Sequence, residues 1–526
     1  MKTYLVREQG KTFESISEKK ENQMIKLNKR LVFVSNRLPF AIDRYRKETT
    51  IRPTSGGLIT AINPFLSKCG GLWIGWPGTF EEIDTKEIAN LMKNSGYSVE
   101  LVTLSKEEHD NFYYGFSNEI LWPLFHDFQA RCNFFNTEYW DSYKAVNRRF
   151  AEVVAQAYSD SDYIWVQDYQ LINVGQELRK LGIMSEIGFF LHTSFPTPDI
   201  FFKLPWREAI LQALLKYDLI GFQTLHDRNN FLQCVQIMTK NSKWFGKDRI
   251  VTLETSDREV KVGYFPIGID YNEFASQALS TEVINQAETI RDNLLQTQII
   301  FGVDRLDYTK GITYKLEAFR NALKRFPELH RKITLLQVIV PSRENIPEYH
   351  SMKAEIERLT SEINGQFTTP GWVPINYIFN CLNRSELLSY YCAADIALVT
   401  PLRDGMNLVA KEYCAANKNN EGVLILSEFA GAANQLHEGA LLVNPYNIEK
   451  VADAIYKGFL MSKNERKIRM QVMQKTLQEE DVFWWAQTFL ETNESQKSVN
   501  QNIKLLKNFT FNNRENNFSR KLHVFH

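Results

Sequence analysis

The sequence contains no uninterrupted apolar stretch near the roughly 18 residues that would cross a bilayer, and its N-terminus lacks the apolar core of a secretory signal. Only six of its 526 residues are cysteines, and none of them form a CxxC pair. Neither charge sign is in excess, because 62 Lys and Arg balance 62 Asp and Glu. These absences predict a reduced, cytoplasmic protein with no membrane anchor and no nucleic-acid partner. They do not bear on whether it forms a homo-oligomer.

Motifs for metals and common cofactors are also missing. The nine histidines are dispersed without an HExxH pattern, and there is no GxGxxG or GxxxxGK[ST] run. An acidic triplet occurs at Asp160–Asp162, but it precedes a strand-like run, so a solvated turn is the better interpretation. We therefore expect neither a bound metal nor a cofactor.

Short apolar runs alternate with segments of helical period, as in Ile312–Phe326. The runs are apolar on both faces, which is typical of parallel strands covered by helices. The pattern predicts an α/β fold with two facing Rossmann-like, doubly wound domains and a central cleft, where ligands bind beyond the carboxyl ends of the strands. The predicted strands are Leu31–Ser35, Leu72–Trp76, Tyr163–Val166, Ile187–His192, Leu219–Phe222, Gln298–Val303, Thr334–Val340, Ile396–Thr400 and Val423–Ser427.

Composition suggests how the chain is divided. Residues 29–267 and 268–470 are predicted to form the two Rossmann-like domains, and an aromatic-rich segment at 471–494 to form helices that pack back on the first domain. The polar ends, 1–28 and 495–526, are predicted to be mobile extensions.

Three turns join a predicted strand to a helix and carry ligand-binding chemistry. Gly57 would allow close approach to a ligand, Arg305 and Lys310 provide two cations suited to a diphosphate, and Asp404 and Glu412 flank the start of a helix. Each has a plainer interpretation as an ordinary turn, a solvated basic loop or a helix cap with a surface carboxylate. His192 ends a predicted strand and so points at the mouth of the cleft, although a lone histidine is more often a satisfied core residue.

Taken in order, several runs resemble the trehalose-6-phosphate synthases, retaining sugar-nucleotide glycosyltransferases of family 20 with the GT-B architecture. The resemblance covers residues 30 to about 490 and is carried by many motifs at compatible spacings. They are VSNRLP (34–39), SGGL (55–58), GGLWIGWPG (70–78), FSNEILWPLFH (116–126), IGFFLHTSFPTPDIF (187–201), LIGFQT (219–224), FPIGID (265–270), DRLDYTKG (304–311), PSRE (341–344), TPLRDGMNLVAKEY (400–413) and SEFAGAA (427–433).

The resemblance implies that glucose is transferred with retention, without a metal, from UDP-glucose to glucose 6-phosphate. It implies a catalytic role for His192, which contacts the transferred sugar, and for Arg305 and Lys310, which hold the nucleotide diphosphate. Asp404 would bind the hydroxyl groups of the donor sugar, and Glu412 would bind the ribose. The full donor set is Gly57, Arg305, Lys310, Asp404, Gly405, Met406, Asn407, Leu408 and Glu412, and the acceptor set is Arg37, Trp76, Tyr113, Trp122, Asp168 and Arg343.

The sequence departs from the family pattern beside His192. Gln167 and Gln170 stand where the family's HDYHL run has histidines, and Ser194 replaces the first proline of HxPFP. Glutamine keeps hydrogen bonding but cannot carry a proton. The departures leave open another acceptor such as glycerol 3-phosphate, another donor such as GDP- or ADP-glucose, and a non-catalytic sugar-phosphate sensor.

Overall fold

A computed structural model describes most of the chain between residues 28 and 492. The described ranges are 28–45, 48–53, 57–81, 83, 88, 92, 93, 95–239, 242–294, 297–342 and 347–492. Apart from Asn28, the two predicted terminal extensions lie outside these ranges. Within them, no helix combines the length and the apolar character needed to cross a membrane.

The described residues form seventeen strands in three sheets. Nine make one sheet in the order β5-β4-β1-β6-β7-β8-β11-β10-β9, six make a second in the order β14-β13-β12-β15-β16-β17, and β2 and β3 form a hairpin. The strands are β1 (Leu31–Arg37), β2 (Phe40–Tyr45), β3 (Glu48–Pro53), β4 (Leu72–Trp76), β5 (Ser98–Leu101), β6 (Tyr163–Gln167), β7 (Glu186–Phe190), β8 (Leu219–Phe222), β9 (Lys243–Phe245), β10 (Ile250–Glu254), β11 (Glu259–Tyr264), β12 (Gln298–Arg305), β13 (Ile333–Val340), β14 (Ile375–Phe379), β15 (Ile396–Val399), β16 (Val423–Ser427) and β17 (Leu441–Val443).

Helices cover both faces of the two large sheets. The α-helices are Gly57–Cys69, Lys106–His109, Trp122–Phe125, Glu138–Ala157, Val174–Lys180, Pro198–Phe201, Arg207–Leu214, Leu225–Met238, Tyr271–Gln277, Thr281–Asn293, Ile312–Arg325, Pro347–Phe367, Arg384–Ala393, Leu408–Ala416, Ala433–Leu436, Ile448–Leu460, Lys463–Glu479 and 482–492. A wider π-helix, Asp110–Leu121, continues directly from Lys106–His109. Short 3₁₀ turns occur at Gln129–Arg131, Tyr169–Leu171, Tyr308–Lys310 and Pro327–Leu329.

The α/β prediction is confirmed, and each predicted strand run overlaps a strand of the structure. The second sheet is wholly parallel, and the first is parallel except at the antiparallel edge β9–β10–β11. Strand β7 ends at Phe190, two residues before the predicted end, so His192 lies in the segment that follows the strand. The predicted helix at Ile312–Phe326 is present as Ile312–Arg325, with its apolar side chains buried.

The chain passes between the two sheets twice, and the two crossings touch. After β11 it runs through Gly268, where an added Cβ would lie 2.3 Å from the carbonyl carbon of Asp481 on the return crossing. Helix 482–492 then packs against the first sheet, where the rings of Trp485 and Phe489 stack on Trp165 at 4.9 and 4.6 Å.

The division into domains at residue 267 stays a proposal. The structure places the return to the first sheet later than the proposed residue 471. Residues 471–479 still contact the second half, where Gln474 donates to the Cys414 and Asn417 carbonyl oxygens, and the return begins at about Asp481.

Candidate active site

The predicted site residues lie where strands of the two sheets end. Neighbouring strands β6, β7 and β8 of the first sheet are followed by Asp168, His192 and Gln223. In the second sheet, β12 ends at Arg305 and its neighbour β15 leads to Asp404. Because carboxyl ends of parallel strands meet at one edge of a sheet, both sets are brought to the cleft.

An ion pair joins the two loops of the second sheet. The Lys310 Nζ lies 2.6 Å from the Asp404 Oδ2, and both side chains are largely buried. The Asp404 carboxylate also accepts from the Met406 N–H and from the Asn407 side chain, at 3.1 and 3.2 Å. Burial would raise the pKa of Asp404, but Lys310 outweighs it, so the pKa lies below its usual value. Asp404 is therefore held as an anion beside a cation.

The loop after Asp404 is shaped by Asn407. This residue has a left-handed backbone with φ of 65°, and its side chain caps the helix Leu408–Ala416 by accepting from the Ala410 N–H at 3.1 Å. Asn407 is therefore the cap of this helix. The helix begins with its amide groups toward the cleft, where they favour negative charge. One turn further on, the buried Glu412 accepts from the Tyr391 hydroxyl at 2.8 Å.

Residues of the first domain close against these loops. A Cβ added to Gly57 would lie 3.3 Å from the Leu408 side chain. The Arg305 guanidinium lies over the Trp122 ring at 5.9 Å, and the Tyr308 ring meets Phe128 edge-on at 5.1 Å. Both domains therefore line one site.

His126 lies at the same boundary. Its Nδ1 lies 2.7 Å from the Trp122 carbonyl oxygen, and its ring packs 4.0 Å from the Trp122 ring. Burial lowers the pKa of His126 to about 4, partly offset by Asp307 and Asp404. The imidazole is therefore neutral at physiological pH.

The acceptor-side aromatics form a second group around Arg37. Its guanidinium lies 4.7 Å from the Trp76 ring centroid and against Gly78. His109 packs between Trp76 and Tyr113, at 4.3 and 5.1 Å. Burial lowers the pKa of Arg37. A cation held among rings at a cleft is suited to an anionic group that carries an apolar or sugar face.

Asp168 is a strained carboxylate. Its φ is 71°, a value that residues other than glycine rarely adopt. Its Oδ1 accepts a hydrogen bond from the His192 backbone N–H at 3.1 Å. Burial raises the pKa of Asp168 to about 6, although the backbone N–H groups of His192, Tyr169 and Thr193 oppose the shift. Strain that is stored at a strand end beside a buried histidine indicates a functional role.

His192 itself is 1% exposed, and both of its ring nitrogens are hydrogen bonded. Nε2 lies 2.9 Å from the Gln167 Oε1, and Nδ1 lies 3.2 Å from the Gln223 Nε2. Burial lowers the pKa of His192 to about 3. The ring is neutral at physiological pH.

Most predicted residues are thus brought together, with one exception. Arg343 lies outside the described residues. The sequence reasoning missed Gln223, His126 and His109 as site residues. Gln223 carries a usable signal, because it follows β8, the neighbour of the strand before His192.

The described residues include no group of three or more His, Cys, Asp or Glu side chains that could hold a metal ion. Among the described residues, the charged groups of the site include two cations on the second domain, Arg305 and Lys310, and one on the first, Arg37. They also include the carboxylates Asp168, Asp404 and Glu412. Cations on both domains and neighbouring carboxylates can hold two phosphorylated sugars, with hydroxyl groups hydrogen bonded to the carboxylates.

Known proteins resemble the chain over nearly all of the described range. The family model of glycosyltransferase family 20 matches residues 29–495. The α,α-trehalose-phosphate synthase (UDP-forming) A of Dictyostelium discoideum is 38% identical over 91% of this chain, which spans only 64% of that protein's length. The trehalose-6-phosphate synthase of Mycolicibacterium vanbaalenii is 40% identical over 89% of this chain and 96% of its own length.

Solved structures agree in fold. An α,α-trehalose-phosphate synthase (UDP-forming) from Burkholderia xenovorans, in complex with glucose-6-phosphate, superposes with a TM-score of 0.79 at 33% identity and covers 88% of this chain and 99% of its own. An E. coli structure bound with UDP-2-fluoro glucose gives a TM-score of 0.79 at 36% identity and covers 88% and 98%.

Proposed function

The chain belongs to glycosyltransferase family 20, and we propose that it is a trehalose-6-phosphate synthase with the GT-B fold. It transfers glucose from UDP-glucose to glucose 6-phosphate with retention and releases α,α-trehalose 6-phosphate and UDP. The observation that carries the proposal is the Lys310–Asp404 pair of the second domain, together with the Arg305 guanidinium that lies over the Trp122 ring of the first. The relatives named for this reaction support it at about 40% identity.

On the donor side, Arg305 and Lys310 hold the diphosphate and stabilise the charge that develops as the bond from sugar C1 to the phosphate oxygen breaks. The amino end of the helix Leu408–Ala416 adds to this field. Asp404, kept ionised by Lys310, accepts hydrogen bonds from the sugar hydroxyls. Glu412 receives the ribose, and Gly57 lets the backbone approach the donor.

Retention follows from attack on the face that the leaving group departs from. The acceptor's anomeric hydroxyl forms the new bond to C1 while its proton passes to the departing diphosphate. No protein carboxylate then has to act as nucleophile. His192 contacts the transferred sugar as a neutral ring, which adds no positive charge beside the oxocarbenium-like centre.

On the acceptor side, Arg37 binds the phosphate of glucose 6-phosphate, and Arg343 is proposed to join it from the second domain. Trp76, Tyr113 and Trp122 form the walls of the sugar pocket, and Asp168 binds acceptor hydroxyls. A phosphate held by cations from both domains favours the closed cleft and excludes water.

The proposal is tested with the purified full-length protein, glucose 6-phosphate and, in separate reactions, UDP-, GDP- and ADP-glucose. Release of nucleoside diphosphate is followed, and the sugar product is identified by NMR. We expect α,α-trehalose 6-phosphate with UDP-glucose. Binding of both substrates without turnover would instead indicate a sensor, and turnover with glycerol 3-phosphate but not glucose 6-phosphate would overturn the acceptor assignment.

We further propose that the enzyme works in the cytoplasm. The six cysteines are all free thiols, which is typical of a reducing compartment. Whether it forms a homo-oligomer is tested directly by light scattering during size exclusion.

A further inference from the structure

We propose that Gln167 and Gln223 are positioning residues that hold His192 as one neutral tautomer, with the proton on Nε2. The proposal rests on the proposed function only for the role of His192 in transfer. All three side chains are at least 97% buried, and they form a single chain of hydrogen bonds behind the reaction centre.

The tautomer follows from a backbone group at the far end of this series of hydrogen bonds. The Ile267 N–H can only donate, and it donates to the Gln223 Oε1 at 2.9 Å. The Gln223 amide is therefore oriented with its Nε2 toward His192, where it donates to Nδ1 at 3.2 Å. Nδ1 must be the unprotonated nitrogen. The remaining ring proton lies on Nε2.

Gln167 completes the arrangement independently. Its Nε2 faces the Trp165 carbonyl oxygen at 3.5 Å, which leaves its Oε1 to accept from His192 Nε2–H at 2.9 Å. Two backbone groups, the Trp165 carbonyl on β6 and the Ile267 N–H in the segment after β11, thus specify the same tautomer. A glutamine amide can hydrogen bond to either ring nitrogen of the histidine without gaining or losing a proton.

The surroundings of the ring favour the neutral form. Phe190 and Trp485 pack on it at 4.7 and 5.9 Å. Charged groups on the neighbouring elements include Asp168, which accepts from the His192 backbone N–H, and the Lys310–Asp404 pair on the loops near Gly405. Lys411 is a further one, and its Nζ donates to the Ile267 carbonyl oxygen. Both ring nitrogens are hydrogen bonded to glutamine amides, which carry no charge.

The chemical consequence concerns the transition state. A cationic imidazole next to a sugar that gains positive charge would oppose the reaction, whereas a neutral ring whose Nε2–H is held by Gln167 adds no positive charge there. A histidine at position 167, as in the family pattern, could share a proton with His192. Gln167 removes that route in this chain.

The tautomer is measured by NMR of the full chain labelled with ¹⁵N in its histidine rings, without substrates. The spectrum of the His192→Asn variant identifies the His192 signals among nine histidines. We expect the shifts of the neutral Nε2–H form, unchanged from about pH 5 to about pH 8. An Nδ1–H form, or titration within that range, would overturn the proposal.

Gln223→Glu tests whether the Gln223 amide fixes the tautomer of His192. A carboxylate that accepts from the Ile267 N–H also accepts from His192, so a proton is drawn to Nδ1. We expect the ring to become charged or to change tautomer, and kcat to fall about 10- to 100-fold with KM for both substrates within about twofold. An unchanged spectrum of the His192 ring in a folded variant would overturn the proposed role of Gln223.

Gln298→Glu is the matched control. Gln298 is also a partly buried glutamine with a fixed partner, since its Oε1 accepts from Arg466 at 3.0 Å, but it lies away from the cleft. The control should leave both the His192 signals and kcat unchanged. If Gln223→Glu fails to fold, the wild-type spectrum still decides the tautomer. A protein that shows the expected tautomer but no transferase activity would contradict the proposed function and leave the roles of Gln167 and Gln223 intact.

Discussion

Gly405 of the second domain lies directly against the backbone of His192 in the first. A Cβ added to Gly405 would come within 2.4 Å of the His192 carbonyl oxygen and 2.8 Å of the Ser194 nitrogen. The loop that carries Asp404 is therefore seated on the segment that positions the buried histidine. This contact couples the closure of the domains to the geometry of the reaction centre.

Gly405→Ala should consequently lower kcat by about 100-fold, because a misplacement near 1 Å in a site can cost that much. The added methyl meets backbone atoms, which cannot move aside as a flexible side chain would. The measurement is UDP release at saturating substrates, together with the melting temperature. Wild-type turnover by a folded Gly405→Ala protein would contradict the contact.

The matched control is Gly365→Ala, within the helix Pro347–Phe367. A Cβ there has no neighbour within 4 Å. We expect unchanged activity and a gain in stability of about 0.5–1 kcal/mol, because alanine loses less backbone entropy in a helix.

Lys310→Met should damage both transfer and stability. Loss of a cation at the leaving group is expected to lower kcat by about 10²–10³-fold. It also leaves the buried Asp404 uncompensated, which should lower the free energy of unfolding by about 3 kcal/mol near neutral pH.

The pH dependence of that loss has a definite sign. Although burial opposes it, Lys310 holds the pKa of Asp404 below its usual value, so the pair stabilises the fold above the ordinary pKa of an aspartate. The contribution is lost as the pH falls through the lowered pKa. Urea unfolding of wild type and Lys310→Met should therefore differ most near pH 7 and converge below about pH 4. Arg358→Met, which breaks an exposed helix-surface pair, should show no such convergence.

Much of this fold was predictable because its central strands are buried on both faces. Strand β12 and its neighbours are nearly continuous apolar runs, which are visible in any sequence. Eight strands were missed: the hairpin of β2 and β3, and β5, β9, β10, β11, β14 and β17. Most of their sequences mix polar and apolar residues, and most of these strands are short or lie at or near the edge of a sheet.

The site was predictable only in part for a different physical reason. Arg305, Lys310 and Asp404 lie in turns directly after buried strands, so the sequence indicates that they meet at one edge. The position of Gln223 after β8 is visible in the sequence, but the orientation of its amide depends on the Ile267 N–H about forty residues away in the chain, which the sequence does not show. His126 depends in the same way on side chains of the other domain.

Trp485 links the returning helix to the reaction centre. It is fully buried, stacks on Trp165 at 4.9 Å and lies 5.9 Å from the His192 ring. Trp485→Ala should cost about 3–5 kcal/mol of unfolding free energy and leave a cavity beside His192, so kcat should fall as well. Trp372→Ala is the control, since Trp372 is buried in the second domain and bonds to the Ile333 carbonyl oxygen. It should cost similar stability with little loss of kcat in the protein that remains folded. Equal kcat in both variants would contradict the link.

Asp168→Asn should raise stability while it lowers activity. Burial raises the pKa of Asp168 to about 6, so the folded state holds the proton more tightly than the unfolded chain does. The ionised carboxylate therefore destabilises the fold as the pH rises through about 6, and this cost is absent when the pH is well below the unfolded value. At pH 7 the amide variant, which meets the same backbone strain at this positive φ as aspartate does, should be more stable by about 1–2 kcal/mol. Chemical denaturation at pH 7 and pH 4 should show the gain only at pH 7.

The same titration should appear in the kinetics of the acceptor. The kcat/KM for glucose 6-phosphate should fall as the pH drops below about 6, because protonated Asp168 is a weaker hydrogen-bond acceptor for an acceptor hydroxyl than the carboxylate. The phosphate of the substrate also titrates near pH 6, so the wild-type profile alone is ambiguous. Asp168→Asn separates the two groups, since it keeps the substrate's titration and removes that of the enzyme. We expect the kcat/KM of Asp168→Asn to be low and to fall less steeply than that of the wild type as the pH drops below about 6. The same steepness in both proteins would assign the titration to the substrate.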